Sequence, residues 1–457
     1  MSILKSTNPA TGAEIQKYKE YSDTKVKSII KEAKISQMHW SKSELDLRLV
    51  CLKEIMEVLS DRKRELSLLI TDEMGKPLNQ SDAEIEKCIS LCNYYFENSS
   101  KFLEDRVISE GCQKSLVTFQ PIGLVLGIMP WNFPFWQVFR FAIPTITAGN
   151  GAILKHASNV QGSAFAIEAC FQDAGYPKNI FRNISISSKK VKKIIKNIDI
   201  AAITLTGSTP AGKAVGKIAG KFLKKTVLEL GGSDPYIILD DADLNKAVQA
   251  CISGRILNNG QSCISAKRII STKKLYPKIV EKIKLELSKK IMGDPKDKVD
   301  IGPMVSYKSR EQIHDQVSRT IKQGATLLMG GFIPDIIGAY YPITLLTDVE
   351  PGMIAFDEEI FGPVFSCIMA EDEAHAIELG NSTNFGLGSA IFTENQKRAK
   401  DIAKNHMQAG VCFVNDFVKS DPKLPFGGIK QSGYGRELSS YGMMEFVNVK
   451  TVVMNYE

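Results

Sequence analysis

The chain has 457 residues, which is enough for about three domains of typical size and too long for a lone binding module. Its 44% hydrophobic and 24% charged residues are the composition of a globular protein, which excludes disorder, collagen and a coiled coil. The net charge of +7 is too dilute over so large a surface to indicate nucleic-acid binding, although it suits an anionic substrate.

The first hundred residues predict a layer of surface helices. They are rich in Lys and Glu and carry apolar residues at helical spacing, as in LVCLKEIMEVLSDRKRELSLLITDEMG. This pattern stops at Gly75, just before Pro77, as is typical of a helix C-terminus.

From Leu116 onward, short apolar strands alternate with helices. The segment LVTFQPIGLVLGIMP predicts two strands interrupted at Pro121. Further strands are predicted at 151–155, 184–186, 201–205 and 226–230, and helices at 133–148, 161–174, 189–196 and from Pro210. Such alternation indicates βαβ units and a parallel sheet.

A second alternating stretch begins at Pro235 and runs to about Gly435, so we expect two α/β lobes. The tail FVNVKTVVMN and residues 114–120 are rich in strand-forming residues and lie outside both lobes. We interpret them as strands of a small arm that could pair with another subunit, because open strand edges seek partners.

Targeting signals are not evident. The N-terminal sequence MSILKSTNPATG lacks an apolar core, and the most apolar stretch, Ile122 to Trp131, is shorter than the ~18 residues of a membrane span. The nine cysteines include no CxxC pair, which indicates reduced thiols rather than a disulfide framework. We therefore expect a cytoplasmic protein.

The string GSTPAGKA, Gly207 to Ala214, follows a predicted strand and opens a helix, where backbone N–H groups can bind a phosphate. It fails as a nucleotide-hydrolase P-loop because Ala214 stands where that motif needs a hydroxyl for magnesium. The alternative is a plain turn from strand to helix.

Lys155 ends a predicted strand, where a side chain points into the ligand crevice of such folds; a lysine extending to solvent is the alternative. We expect the neighbouring His156 to be a satisfied histidine, because the five histidines show no metal-ligand spacing. Cys88 and Cys92, spaced for one helix face, are expected in the core, and no metal site is predicted.

Three residues have side chains suited to covalent catalysis. Cys263 follows the polar turn NNGQS, which can expose a thiol and lower its pKa if a helix N-terminus comes next. Glu229 ends a strand before two glycines and could act as a general base if burial raises its pKa; a turn cap is the alternative. Asn132 lies between the stiff prolines of PWNFP and could donate to an oxyanion.

Six motifs together resemble one family. PWNFP, TGST, LELGG, GQSC, EEIFGP and PFGGIKQSGYGRE occur in the order and approximate spacing of the aldehyde dehydrogenase superfamily, and the resemblance spans essentially the whole chain. The segments KHASNVQG and WQVFRF are most similar to the bacterial succinate-semialdehyde dehydrogenase branch.

This resemblance implies an α/β fold with three parts. They are a Rossmann-like cofactor-binding domain (1–107 and 122–230), an α/β catalytic domain (231–440) and an oligomerisation β-arm (108–121 and 441–457). It also implies a homodimer or homotetramer, and non-acylating oxidation of an aldehyde to an acid with NAD or NADP.

The resemblance also implies the residue roles. Cys263 would be the nucleophile, Glu229 the base, and Asn132, with the Cys263 N–H, the oxyanion donor. Lys155 would hold the adenosine ribose, Ser208 the pyrophosphate, and Glu359 with Phe361 the nicotinamide ribose and ring. The full set implied for the cofactor is Met129, Pro130, Trp131, Lys155, Ser158, Gly207, Ser208, Glu359 and Phe361.

Two departures from the family pattern bear on specificity. Ser158 stands where NAD-preferring members often have a glutamate that repels a 2′-phosphate, so we expect NADP to be accepted, while the preference between NAD and NADP stays open. Arg140 matches one of two arginines that hold the substrate carboxylate of succinate-semialdehyde dehydrogenases, but Leu257 replaces the second. Succinate semialdehyde is the expected substrate, and other small aldehydes stay open.

The second cysteine that some members carry two positions after the nucleophile is Ser265 here, so no redox switch by a vicinal disulfide is expected. Two rival functions stand beside the dehydrogenase. One is a P-loop nucleotide hydrolase, which Ala214 disfavours. The other is a catalytically silent relative with a structural role, which the joint presence of Cys263, Glu229 and Asn132 disfavours.

Overall fold

The computed structural model describes residues 3–109 and 113–455. Residues 110–112 and 456–457 of the expected arm, and residues 1–2, lie outside this range. The chain begins with a hairpin of β1 (Ile3–Thr7) and β2 (Glu14–Lys19). Four helices follow: α1 (Asp23–Trp40), α2 (Leu45–Asp61), α3 (Lys63–Met74) and α4 (Leu78–Leu103).

The N-terminal prediction of helices alone was wrong for the first residues. The hairpin was missed because β2 is lysine-rich and buries only Tyr18, so it shows no alternation. The helical pattern that ends at Gly75 forms two helices that meet at Arg62. The predicted end at Gly75 is confirmed: this glycine has φ 82°, and a Cβ there would lie 2.8 Å from Pro9 and Pro303.

The first sheet has strand order β9-β8-β5-β6-β7, all parallel. Along the chain, this sheet comes after two other strands, β3 (Arg106–Ser109) and β4 (Gln113–Pro121). Its elements are β5 (Leu124–Met129), α5 (Trp136–Thr147), β6 (Gly151–His156), α6 (Gln161–Asp173), β7 (Phe181–Asn183), α7 (Val191–Ile195), β8 (Ile200–Thr206), α8 (Thr209–Lys221) and β9 (Lys225–Glu229).

The strand predicted at 184–186 is displaced to β7. Ile184 and Ile186 are fully buried, which made them resemble a strand, but the ladder between β6 and β7 ends at Asn183. They pack instead with apolar residues of α1 and α7. The other strands and helices predicted for this sheet are present within a few residues of the expected bounds.

The second sheet has strand order β12-β13-β14-β11-β10-β15-β16, with β12 antiparallel to its neighbour and the other pairs parallel. Its elements are β10 (Asp234–Ile238), α9 (Leu244–Ile256), β11 (Ala266–Thr272), α10 (Tyr276–Leu287), α11 (Tyr307–Lys322), β12 (Thr326–Met329), β13 (Thr344–Thr347), α12 (Ile354–Asp357), β14 (Val364–Ala370), α13 (Glu373–Asn381), β15 (Gly388–Phe392), α14 (Gln396–Asp401) and β16 (Val411–Val414).

The C-terminal segment joins the parts of the molecule. β17 (Gly433–Tyr434) adds to the first sheet, antiparallel to β9. After α15 (Ser439–Met444), β18 (Val447–Asn455) pairs antiparallel with β4 from Val447 to Asn455, and β3 completes this three-stranded arm. The two β-rich segments of the sequence are therefore partners of each other. Within the described residues, no helix is both long and apolar enough to cross a membrane.

Candidate active site

The carboxyl ends of the parallel strands in the first sheet meet at one edge. Met129 at the end of β5 faces His156 of β6, and Thr206 of β8 pairs with Glu229 of β9. Ligands of such sheets bind at this edge. It brings together five of the residues expected to bind the cofactor: Met129, Lys155, Ser158, Gly207 and Ser208.

Lys155 is a buried cation at this edge, with 7% of its surface exposed. Burial lowers its pKa to about 8, and no carboxylate pairs with its ammonium group among the described residues. Ser208 is exposed at the N-cap of α8, where its side chain makes no capping bond. An unpartnered cation and an open helix N-terminus both favour a phosphorylated ligand.

His156 is satisfied by backbone groups, as expected. The Ala157 N–H donates to its Nδ1 at 2.9 Å, so Nε2 carries the hydrogen and donates to the Pro134 carbonyl at 2.9 Å. Burial lowers the pKa of His156 to about 4. The neutral ring thus fastens β6 to the PWNFP segment.

Cys263 follows a tight left-handed turn that ends α9. Asn258, Asn259 and Gly260 have φ of 56°, 58° and 74°. A Cβ on Gly260 would lie 2.4 Å from the backbone of Gly362, so glycine is required there. Asn259 donates to the carbonyls of Gly75 and Pro303, each at 2.9 Å. The turn is therefore fixed on several sides.

The same turn is clamped to Asn132. The Asn258 amide donates to the Asn132 carbonyl at 2.7 Å, and the Asn132 amide donates to the Gln261 carbonyl at 3.1 Å. Asn132 is 4% exposed. Its amide nitrogen has a second hydrogen for which no protein acceptor is found within the described residues. This geometry leaves a donor free beside the cysteine loop.

The thiol of Cys263 faces a cavity of about 340 Å³. Burial raises the pKa of Cys263 to about 12, and the charges of Lys267 and Arg140 oppose this only in part. The sequence condition for a lowered pKa is not met, because strand β11 and not a helix follows the cysteine. Protein groups alone therefore keep this sulfur as a thiol near neutral pH.

Lys267 is a residue that sequence reasoning missed. Its Nζ donates to the carbonyls of Cys263 at 2.6 Å and Ser262 at 3.0 Å, and forms an ion pair with Glu359 at 3.0 Å. The available signal was its position four residues after the cysteine in GQSCISAK. Lys267 thus links the cysteine loop to the EEIFGP segment.

The two glycines of LELGG make room for these groups. A Cβ on Gly231 would lie 2.5 Å from Glu359 Oε2, and one on Gly232 would lie 2.7 Å from the Cys263 carbonyl oxygen. The Gly232 N–H also donates to Glu359 Oε1 at 3.2 Å. The chain after Glu229 therefore passes directly against both the cysteine loop and Glu359.

Glu229 is buried at the end of β9, with 2% exposed. Neither carboxylate oxygen has a hydrogen-bond partner among the residues that the structure describes. Burial raises its pKa well above the ordinary value, Glu437 adds to the rise, and Arg140 opposes it. The sequence condition for a general base, a pKa raised by burial, is met.

Arg140 lies on α5 and lines the cavity beside Cys263. It forms an ion pair with Glu437 through Nε and is stacked 4.7 Å from the ring centre of Phe426. Within the described part of the chain, its Nη2 has no hydrogen-bond acceptor. Glu437 was missed as a separate site residue, although it ends the motif PFGGIKQSGYGRE.

A second cavity has a volume of about 720 Å³. Trp131, Glu359 and Phe361 line it, and the rings of Trp131 and Phe361 meet edge to face with centres 5.7 Å apart. Pro130 leads from β5 into this segment. The predicted nicotinamide residues are thus brought together in one space.

Comparison with known proteins identifies the family. The model of the aldehyde dehydrogenase family matches residues 2–452, so the chain belongs to this family. The fold class is confirmed by solved structures, among them a succinic semialdehyde dehydrogenase from Streptococcus pyogenes in complex with NADP+. That chain has a TM-score of 0.96 and 32% identity, with coverage of 98% of this chain and 99% of its own.

Curated relatives are similar over nearly their whole length. A succinate semialdehyde dehydrogenase [NAD(P)+] of Escherichia coli (strain K12) is 42% identical over 448 residues, which cover 98% of this chain and 97% of that protein. A succinate-semialdehyde dehydrogenase [NADP(+)] of Mycobacterium leprae (strain TN) is 41% identical over 456 residues, 99% of each. The P-loop hydrolase alternative is thereby wrong. In GSTPAGKA, Gly207 and Ser208 form the turn after β8, and α8 begins at Thr209.

Proposed function

We propose that this member of the aldehyde dehydrogenase family oxidises succinate semialdehyde to succinate with NAD or NADP. The observation that carries the proposal is the cavity beside Cys263, where a thiol and the arginine Arg140 line the same space. A thiol suits an aldehyde carbonyl, and a guanidinium suits a carboxylate at the other end of the same small molecule. The names of the relatives support the same substrate.

The chain's residues fit a dinucleotide. Lys155, without a carboxylate partner, and the open N-terminus of α8 at Ser208 suit the ribose and phosphates. The cavity of Trp131, Glu359 and Phe361 suits the nicotinamide end. When bound, the cofactor supplies a hydride acceptor. Ser158 adds no negative charge that would repel a 2′-phosphate, so both NAD and NADP are expected to serve.

The chemistry divides among three side chains. After its thiol proton leaves to solvent, Cys263 Sγ adds to the aldehyde carbon, and the resulting oxyanion accepts hydrogen bonds from the free Asn132 N–H and the Cys263 backbone N–H. After hydride loss, an acyl thioester stays on Cys263. Glu229, once ionised, takes a proton from water, and that water attacks the thioester to release the acid and the thiol.

One assay panel tests the function. Purified protein is mixed with succinate semialdehyde or an uncharged aldehyde such as butanal, and with NAD or NADP, while reduced nicotinamide is followed by absorbance. We expect kcat/KM for succinate semialdehyde to exceed that for butanal. Equal values would contradict the substrate, and no activity with any aldehyde would favour a silent relative.

Two variants test the residue roles. Glu229→Gln is expected to give a burst of reduced cofactor equal to the enzyme, followed by steady turnover at least about 100-fold slower, because acylation proceeds without the base. Cys263→Ala is expected to give no burst. Unchanged turnover of Glu229→Gln would refute the role of the carboxylate.

Arg140→Leu tests the substrate contact. Loss of the guanidinium is expected to raise KM for succinate semialdehyde more than for butanal. Because Arg140 also pairs with Glu437, the double change Arg140→Leu with Glu437→Gln removes the partner left unpaired. Unaltered kinetics on succinate semialdehyde in both variants would end this assignment.

The same proposal assigns a role to each part of the chain. Residues 1–107 with 122–230 form the cofactor-binding part, 231–440 the catalytic part, and 108–121 with 441–457 the arm. We propose that the arm joins copies of the chain into a homodimer or homotetramer in the cytoplasm. Eight cysteines, all free, in the described residues suit a reducing compartment.

A further inference from the structure

Three cations line the cavity beside Cys263: Lys87 from α4, Arg140 from α5, and Lys419 from the segment after β16. They differ in what neutralises them. Arg140 is paired with Glu437, and Lys419 is paired with Asp416 at 2.6 Å. Within residues 3–109 and 113–455, Lys87 has no carboxylate in an ion pair.

The contacts of Lys87 hold it in the cavity. Its Nζ donates to Ser420 Oγ at 2.7 Å and lies 4.4 Å from the ring centre of Trp136. Neither contact removes its charge. A serine hydroxyl and an aromatic face orient the ammonium group while leaving it able to bind an anion.

The carboxylate of Glu84, on the same helix, is already bound to groups other than Lys87. Its Oε1 accepts the backbone N–H groups of Phe135 and Trp136 at 2.8 and 3.0 Å, at the start of α5. Its Oε2 pairs with the buried Lys76. Glu84 therefore serves α5 and Lys76, and both of its oxygens are already used.

The remaining wall of the cavity is largely apolar. It includes Phe133, Trp136, Leu257, Ile264 and Phe426. An unpaired cation is costly among such side chains, and a carboxylate that enters beside it relieves that cost. Leu257 adds an apolar side chain to this wall, so the positive charge of the cavity comes from the three cations named above.

We infer that Lys87, oriented by Ser420, is a specificity-determining residue that binds the terminal carboxylate of a short aldehyde acid. This inference rests on the proposed function and assigns to α4 the second positive charge of the substrate site. Lys87 acts on the choice of substrate, while Cys263 and Glu229 act on the reacting carbon. Lys87 does not strengthen the binding of an aldehyde that lacks an anionic end.

The test is the selectivity ratio, kcat/KM for succinate semialdehyde divided by kcat/KM for butanal. Lys87→Met is expected to lower this ratio at least tenfold, mainly through a higher KM for the charged aldehyde. Lys87→Arg keeps a positive charge and is expected to restore most of the ratio. A ratio within threefold of the wild type in Lys87→Met would overturn the inference.

Two control variants separate this role from a general loss of charge. Lys101→Met removes a lysine from the same helix outside the cavity and is expected to leave the ratio unaltered. Lys419→Met removes a cavity lysine already paired with Asp416 and is expected to change the ratio less than threefold. A larger effect of Lys419→Met than of Lys87→Met would assign the carboxylate to Lys419 instead and overturn the inference.

A measurement on the unaltered enzyme covers the case in which Lys87→Met does not fold. The groups that face Lys87 are Arg140 on α5, Glu84 and Cys88 on α4, and Asp421 beyond β16. Burial, with the charge of Arg140, lowers the pKa of Lys87 to about 8. Because kcat/KM reports groups of the free enzyme, the ratio is expected to fall above pH 8 as Lys87 loses its proton. A ratio constant from pH 7 to 9.5 would contradict the role of Lys87.

The proposed function and this inference fail in different ways. If the wild type does not prefer succinate semialdehyde to butanal at all, the proposed function is wrong. If the wild type shows that preference and a folded Lys87→Met retains it, only the assignment of Lys87 is wrong.

Discussion

At the scale of single residues, Cys263 shows two opposed influences. Lys267 and Arg140 favour the thiolate, but burial is the larger effect and keeps the sulfur protonated. The pKa of Glu229 is also raised. The free enzyme therefore holds the Cys263 sulfur as a thiol, which protects it from oxidants that attack thiolates.

This balance predicts how Cys263 reacts with iodoacetamide. Because its pKa is about 12, the thiolate fraction rises about tenfold for each pH unit between 7 and 9. The rate of Cys263 alkylation, followed by peptide mass spectrometry, is expected to rise in the same proportion. A small free thiol with a pKa near 8.5 levels off in this range. A plateau for Cys263 by pH 8 would contradict the prediction.

Sequence alone indicated candidate catalytic side chains but not the groups that contact them. Cys263, Glu229 and Asn132 stand in motifs whose residue types suggest chemistry. Glu437 and Lys267 act through contacts between distant segments, and nothing in their local sequence states which group they meet. Lys87 lies on a helix with no motif, and only the packing of α4 against the cavity distinguishes it from the other lysines.

At the scale of elements, the turn before Cys263 fixes the position of that residue. Three successive left-handed residues are costly, and the structure retains them through bonds to Asn132, Gly75 and Pro303. The turn is therefore a preorganised support, whose position depends on contacts from both halves of the chain.

Gly260→Ala tests this support. The added Cβ would meet the Gly362 backbone at 2.4 Å, so the turn has to move, and displacements of about 1 Å cost catalysis roughly 100-fold. We expect a loss of kcat of that order and a lower melting temperature. Gly175→Ala is the matched control, because Gly175 has φ 73° with nothing within 4 Å. The control should lose about 1 kcal/mol of stability and little activity. Equal effects of both changes would contradict the role of the contact.

The elements that sequence patterns predicted well are those with strong periodicity, such as β5, α5, β6 and α8. The errors have physical causes. Strand β2 has almost no buried face, so its residues lack alternation. Residues 184–186 are apolar because helices cover them, while the hydrogen-bonding partner strand has already ended.

At the scale of the whole molecule, the arm presents apolar side chains to solvent. Val107 is 71% exposed, Val449 58% and Val453 54%. Val449 and Val453 lie on the same face of β18, since they are separated by an even number of positions. Exposed apolar groups on a three-stranded sheet favour association with another copy.

The exposed valines of the arm predict how added charge changes the oligomeric state. Val449→Lys with Val453→Lys is expected to shift the oligomer toward monomer, as measured by sedimentation velocity, because burying two added charges is unfavourable. Ile198→Lys is the control, since Ile198 is 94% exposed and precedes β8, which is not one of the three strands of the arm. A monomeric wild type, or an unaltered oligomer in the double variant, would contradict the prediction.

The ion pair of Arg140 and Glu437 has a consequence during synthesis of the protein. A ribosome makes the chain from its N-terminus, and both α/β lobes can condense while their C-terminal neighbour is still missing. Glu437 is made after all the strands of the second sheet, and it precedes the strand that completes the arm. A nascent polypeptide would therefore contain Cys263 early, while Arg140 beside it would lack its carboxylate partner until Glu437 has been made.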